Sequence, residues 1–353
     1  MMKRKSLLLA SFALTLALTG CGSASTSGSA SSAPSSAPSS TPAPAASTAP
    51  AQKAVTLRLA DNQAADYPTV LGDNEFAKLV NERTNGRITV KVYPSAQLGD
   101  EKSVIEQVQL GAIDFARINS APLGEFDKQI GVFNLPYLFS GSDQMWKVLN
   151  GTIGENLLKS LESAKMEGLT YYDSGSRNFY NSKHAVVHPS DLKGLKIRVQ
   201  QSNIFVDLVN TLGGSATPMA YGEVYNALQT GVIDGAENNW PSYFSTNHYK
   251  VAKYITEDEH TRNPEILLAS QSSWNKLSAD DQKIVMQAAK DSQAVQRTAW
   301  TALEQKGKDA AKANGNQITV VTDFAEWQKA VQPLYDKYAK DYTDVIQQIR
   351  AVQ

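Results

Sequence analysis

Cysteine is nearly absent: of 353 residues, only Cys21 carries a thiol. A structural disulfide within the chain is therefore excluded. Histidine is scarce as well, with four. His184 and His188 stand four apart, but Ala185-Val186-Val187 and Pro189 mark that stretch as strand and loop, where such spacing does not align two metal ligands. Charge of one sign is lacking too, since 34 Lys and Arg meet 35 Asp and Glu. No basic face suggests a nucleic-acid partner. Beyond the N-terminal segment, no apolar run approaches the ~20 residues of a membrane-spanning helix. Catalytic signatures are missing: there is no Gly-x-Ser-x-Gly, no Walker loop and no Rossmann glycine fingerprint. Ser190–Lys193 and Ser273–Lys276 match Ser-x-x-Lys without the companion motifs that would give it meaning. Glu257, Asp258 and Glu259 read as a solvated loop. No metal, no cofactor and no enzymatic activity are expected.

What is present begins with a basic segment, Lys3-Arg4-Lys5, followed by an apolar run from Leu7 to Leu18. This is too short for a stable membrane span and reads as a secretory signal. Leu18-Thr19-Gly20-Cys21 resembles the lipobox of bacterial lipoproteins, which implies cleavage before Cys21 and lipid attachment to its sulfur. From Gly22 to Pro50 every residue is Gly, Ser, Ala, Thr or Pro. Such a stretch has nothing to bury against its ordering entropy and reads as a tether. The expected divisions are 1–20 as signal peptide and 21–53 as lipidated cysteine and linker. The chain is then extracytoplasmic and held at the cell membrane by its lipid.

The remaining ~300 residues allow one large or two medium lobes. Apolar alternation predicts strands over Ala54–Ala60, Arg87–Tyr93 and Ile113–Ile118. Helices are predicted over Thr69–Thr84 and Asp100–Leu110. Alternating strands and helices argue an α/β fold with largely parallel pairing. Gln109-Leu110-Gly111-Ala112-Ile113-Asp114 is echoed by Gln229-Thr230-Gly231-Val232-Ile233-Asp234. In each, a helix ends, glycine supplies a left-handed cap and an apolar strand begins. Two related lobes would give this echo. Ser278-Ala279-Asp280-Asp281 opens a helical pattern that runs to about Asn314, roughly 50 Å at ~1.5 Å per residue. A helix of that length would span both lobes and act as a hinge spring, unless it kinks near Lys306-Gly307.

Several motifs agree in order and spacing with one family. They are Tyr93-Pro94-Ser95-Ala96-Gln97-Leu98-Gly99-Asp100-Glu101, Asp191-Leu192-Lys193-Gly194-Leu195-Lys196-Ile197-Arg198-Val199, Pro218-Met219-Ala220-Tyr221-Gly222-Glu223-Val224-Tyr225, and Gly231-Val232-Ile233-Asp234-Gly235-Ala236-Glu237-Asn238-Asn239-Trp240-Pro241. Over nearly all of residues 54–353 the chain resembles the DctP family, the extracytoplasmic solute receptors of tripartite (TRAP) transporters. The resemblance implies a periplasmic-binding-protein-like fold of two α/β lobes, joined by crossing strands and a long helix and closing on a ligand. Lobe I is expected over 54–174 plus 265–302, and lobe II over 175–264 plus 303–353.

Arg198 follows Leu195 and Ile197 near the C-terminal end of an apolar strand, where α/β folds usually place ligands. Its planar fork suits a carboxylate; without the resemblance it would read as a surface arginine with a structural partner. The family uses this arginine for the main salt bridge to its ligand, carries a second at Arg177, and binds carboxylate with the asparagine at Asn238. Asn62, Glu101 and Asn119 fall on matching first-lobe positions. Asn119 stands where some members have an acid, which weakens the case for an amine-bearing ligand. Tyr221 would pack on the ligand or belong to the core. Trp240 offers an indole face to a sugar ring, or packs the hinge with Tyr243. Asn-Asn-Trp-Pro-Ser-Tyr, with Asp258-Glu259-His260-Thr261-Arg262, resembles members that bind glucuronate or galacturonate.

The expectation is a monomeric receptor that takes a small organic acid, preferably a uronate, and delivers it to the small and large TRAP membrane subunits. A C4-dicarboxylate or other hydroxy or oxo acid is the alternative ligand. A sensor subunit presenting the same ligand is the alternative role. A hydrolase acting on acidic sugars would need a carboxylate pair or nucleophile that no motif supplies.

Overall fold

The structure, a computed structural model, describes residues 54–353. The signal segment, Cys21 and the linker lie outside the described residues. The strands are β1 (Val55–Ala60), β2 (Ile88–Tyr93), β3 (Phe115–Asn119), β4 (Met166–Tyr172), β5 (Arg177–Asn181) and β6 (Lys196–Val199). They continue with β7 (Ser215–Pro218), β8 (Gly235–Asn238), β9 (Tyr254–Thr261), β10 (Glu265–Ser270) and β11 (Gln317–Val320). They form a five-stranded sheet, β2-β1-β3-β10-β4, and a six-stranded sheet, β11-β9-β5-β8-β6-β7. This is the two-lobed α/β fold expected.

The pairing departs from the expected largely parallel arrangement. β1 pairs parallel with β2 and β3, β6 with β7 and β8, and β11 with β9. β10, however, is antiparallel to β3 and β4, and β5 is antiparallel to β8 and β9. The reason is the path of the chain. It leaves the first sheet after β4 and returns from β9 into β10, so the strands beside the crossings run against their neighbours. The exposed apolar periodicity of a single strand carries no sign of this.

The helix Ala279–Ala313 runs unbroken for 35 residues. The Ser278 hydroxyl caps it, accepting from the Asp281 amide at 3.1 Å. Its first half contributes Val285, Ala288 and Ala289 to a core with Leu59, Phe76 and Phe115 of the first sheet's layer. Its last turns place Ala311 in a core with Trp240, Tyr243 and Ile255 of the second. There is no break at Lys306-Gly307. Gly307 lets the Trp240 carbonyl approach closely, since a Cβ there would lie 3.0 Å from it.

The echo is also a structural one. Helices Glu101–Gln109 and Val224–Thr230 are followed by Gly111 and Gly231, at φ 72° and 73°. Asp114 then accepts the Arg58 amide of β1, and Asp234 accepts the Lys196 amide of β6. One feature departs from the expected lobe boundaries. The last helix, Thr343–Ala351, packs Ile346 and Ile349 with Met166, Tyr171 and Ile266 of the first sheet's layer. Those two apolar residues, three apart, form a stripe that the first layer covers.

Candidate functional site

The ends of β1, β3, β6 and β8 and the starts of β5 and β10 converge on one small, polar-lined cavity between the sheets. Its lining includes Asn62, Glu101, Asn119, Arg177, Arg198, Tyr221 and Asn238, all expected from the sequence. Trp240 is not among them. It is buried in the second layer's core, edge-on to Tyr243, and its indole N–H donates to Glu257 at 2.9 Å. Of its two sequence readings, hinge packing is the one the contacts fit. Larger hollows elsewhere, such as one between Arg87 and Lys276 and one around Tyr342, open on the surface and lack this convergence of buried polar groups.

The second-layer wall is cationic. Arg177, at the start of β5, donates through Nε to Glu237 Oε2 at 2.5 Å, through Nη2 to the Glu237 carbonyl at 2.9 Å and through Nη1 to Asn238 Oδ1 at 3.0 Å. Beneath it, the His260 Nδ1 lies 2.7 Å from Asp258 and its Nε2 3.5 Å from Glu237. Burial opposes a charge on His260, but Asp258 and Glu237 together push its pKa up to about 9. Glu237 is likewise disfavoured by burial and is held below the usual carboxylate range by Arg177 and His260. This buried chain fixes the Arg177 fork rigidly. The expected solvated loop at Glu257–Glu259 is thus overturned. The segment lies inside β9, and Asp258 is fully buried, also accepting the Phe179 amide at 3.0 Å. Three adjacent acids suggest exposure, but strand alternation turns the middle one inward.

Arg198 differs. Its Nε and Nη2 both donate to the Met219 carbonyl, at 3.0 and 2.7 Å. The Pro218-Met219-Ala220-Tyr221 segment therefore aims the guanidinium. Arg198 is 3% exposed, yet among the described residues no carboxylate forms an ion pair with it, and Nη1 has no hydrogen-bond partner. Burial pulls its pKa down. The Glu237 carboxylate opposes that pull without pairing directly with Arg198, and a buried cation with no direct ion pair is costly. Asn238 stands beside it: its Oδ1 accepts from Arg177 and from the Asn239 amide, which leaves its amide N–H groups for another partner.

The first-layer wall is acidic. Sequence reasoning missed Arg117, which is 1% exposed at the centre of this wall. Its Nε donates to Asp61 at 3.0 Å, and its Nη1 to Glu101 at 3.0 Å and Glu265 at 2.8 Å; Nη2 reaches Asp61 and Asn62. Asn119 donates to Glu265 at 2.9 Å, and its own amide N–H donates to Glu101 at 2.9 Å. Burial and the neighbouring Glu265 push the Glu101 carboxyl up, against the pull of Arg117. Gln63, Gln200, Asn239 and Ser242 complete the lining. Arg117 sits two residues before Asn119 on β3, so strand alternation alone put it on the same side.

The model for "DctP: Bacterial extracellular solute-binding protein, family 7" matches residues 59–341. The chain belongs to the DctP family. A solute-binding protein of Chromohalobacter salexigens is 40% identical over 287 residues, covering 81% of this chain and 85% of that one. A TRAP periplasmic solute-binding protein of Xanthobacter autotrophicus, solved with bound β-D-galacturonate, superposes with a TM-score of 0.82 at 44% identity. It covers 84% of this chain and 100% of that one. Another, from Chromohalobacter salexigens with bound D-glucuronate, gives 0.82 at 39%, covering 84% and 100%. DctP members are solute-binding receptors of the cell exterior. No helix among the described residues is long and apolar enough to cross a membrane.

Proposed function

We propose that this chain is an extracytoplasmic receptor for a uronate-class sugar acid, which it delivers to the membrane subunits of a TRAP transporter. The observation that carries this reading is Arg198, a buried guanidinium in the cavity with no ion pair among the described residues. A ligand carboxylate would supply the missing counter-ion. It would take bonds from Arg198 Nη1 and the Asn238 amide, with Arg177 held alongside by Glu237. Hydrogen bonds to charged groups contribute about 1.5–3 kcal/mol each. The uronates bound in two solved relatives support the ligand class.

On this reading the chain is a monomer that binds its ligand without transforming it. Cleft closure would let both walls reach one ligand, and the closed form would then dock on the transporter. The lipid anchor at Cys21 belongs to the same reading; mass spectrometry of the mature chain should find diacylglyceryl on an N-terminal Cys21. The binding test is calorimetry of the full chain against D-galacturonate and D-glucuronate, with D-galactose as the neutral control. Both acids are expected to bind and the sugar not to. Arg198→Ala should weaken binding by roughly 2–5 kcal/mol, the usual cost of removing one partner of a buried charge pair. Thermal stability should be kept or raised, because an unpaired buried cation is lost. Equal binding of the neutral sugar, or unchanged affinity in the variant, would refute the reading.

A further inference from the structure

The two walls of the cavity have opposite character. Lobe II presents Arg198 and Arg177. Lobe I presents Asp61, Glu101 and Glu265 around one arginine. Arg117 is consumed by them and by Asn62, so it has little left to offer an anion. The carboxylates keep spare acceptor capacity. Glu101 takes both its hydrogen bonds, from Arg117 and the Asn119 amide, on Oε1, so Oε2 receives none among the described residues. Glu101 is also only partly covered, at 14% side-chain exposure, and it faces the cavity. Glu265 accepts one bond on each oxygen, at 2.9 and 2.8 Å, and each oxygen can accept another.

Resting on the receptor reading above, we infer that Glu101 and Glu265 are the specificity determinants of the site: they accept hydroxyl hydrogens from the end of the ligand remote from its carboxylate and reject any ligand carrying a second carboxylate. The cavity is small, so an acid gripped by Arg198 at one end must bring its other end to this wall. A hydroxyl donates there at no charge cost. A second carboxylate meets three carboxylates and one arginine already committed to them, in a site shielded from water, where like charges repel strongly. The amides of Asn62, Gln63, Asn119 and Gln200 line the same cavity as the two glutamates, and Asn119 touches both. Amides both donate and accept, as hydroxyls do, so the wall is matched to a polyol end rather than to a second carboxylate, which only accepts.

The test compares D-glucuronate with D-glucarate, which carries carboxylates at both ends, and with succinate, by calorimetry on the full chain. Wild type should bind the uronate at least a hundredfold more tightly than either dianion. In Glu101→Gln the like-charge repulsion falls while the shape is kept, so this ratio should shrink about tenfold or more. Glu265→Gln, which retains an oxygen for Arg117, is the second variant, and melting curves establish that each is folded. Dianions binding within a few-fold of the uronate in wild type would overturn the inference while leaving the receptor reading intact. So would a ratio unchanged in both folded variants. Failure of all three acids to bind would overturn the sugar-acid reading and this inference together.

Discussion

At the scale of single residues, the site is built from buried charges whose partners decide their roles. Three arginines line the cavity and only their neighbours tell them apart. Arg117 is spent on three carboxylates and Arg177 is braced by Glu237, while Arg198 is aimed by a carbonyl and left unpaired among the described residues. The brace has a pH signature. His260 titrates near 9 in the folded chain, above the ~6.5 of an unperturbed histidine. A raised folded pKa gives stability that is fully present below about 6.5 and is lost as pH rises through about 9. The expected loss is of order 3 kcal/mol at most. The melting temperature of wild type should therefore fall across that window, and that of His260→Gln should start lower and fall less. Parallel curves for the two proteins would show that His260 carries no such charge.

At the scale of elements, the same small unit does the same job twice. A helix ends on a left-handed glycine, a short strand follows, and an aspartate at its start takes an amide of the parallel neighbour, in both sheets. That construction delivers Asn119 and Asn238 to opposite walls of one cavity. It was readable, because a helix stop and an aspartate at fixed spacing depend on local backbone geometry. Arg198 lies near the end of a short apolar strand, which alone reads equally as a surface arginine; the resemblance to the DctP family singled it out. Trp240 misled because an indole near a site satisfies packing and ligand roles equally well in one dimension. Only the Ala279–Ala313 helix and β9, meeting it at Ala311 and Glu257, consign it to the core.

At the scale of the whole molecule, the two sheets are joined by two crossings and by the long helix, and also by polar contacts across the cleft. The Glu125 carboxylate, just after β3, accepts the Asn203 amide at 2.7 Å and also its side-chain amide, at the first turn of helix Asn203–Thr211. Across the cleft, the Tyr67 hydroxyl lies 2.9 Å from Ser242 Oγ. On the receptor reading proposed above, these contacts would have to break for ligand to leave. Glu125 and Asn203 are both exposed, so the contribution is modest, about 1 kcal/mol at most. Glu125→Ala should raise the dissociation rate of a bound uronate about fivefold, with little change in association, as read by stopped-flow fluorescence. An unchanged dissociation rate would mean that the contact does not bear on release.

The sequence by itself determined the α/β class, the family, the long helical stretch and most of the residues that line the cavity. Each follows from local pattern: alternation, caps, glycine stops and motif order. Only the tertiary structure decided which charges face which. Asp61, Arg117, Glu265 and His260 are scattered along the chain and carry no shared motif, and the burial of Asp258 contradicts its acidic surroundings. Their roles come from desolvation and pairing across strands that are distant in sequence, and those depend on how the two sheets are brought together.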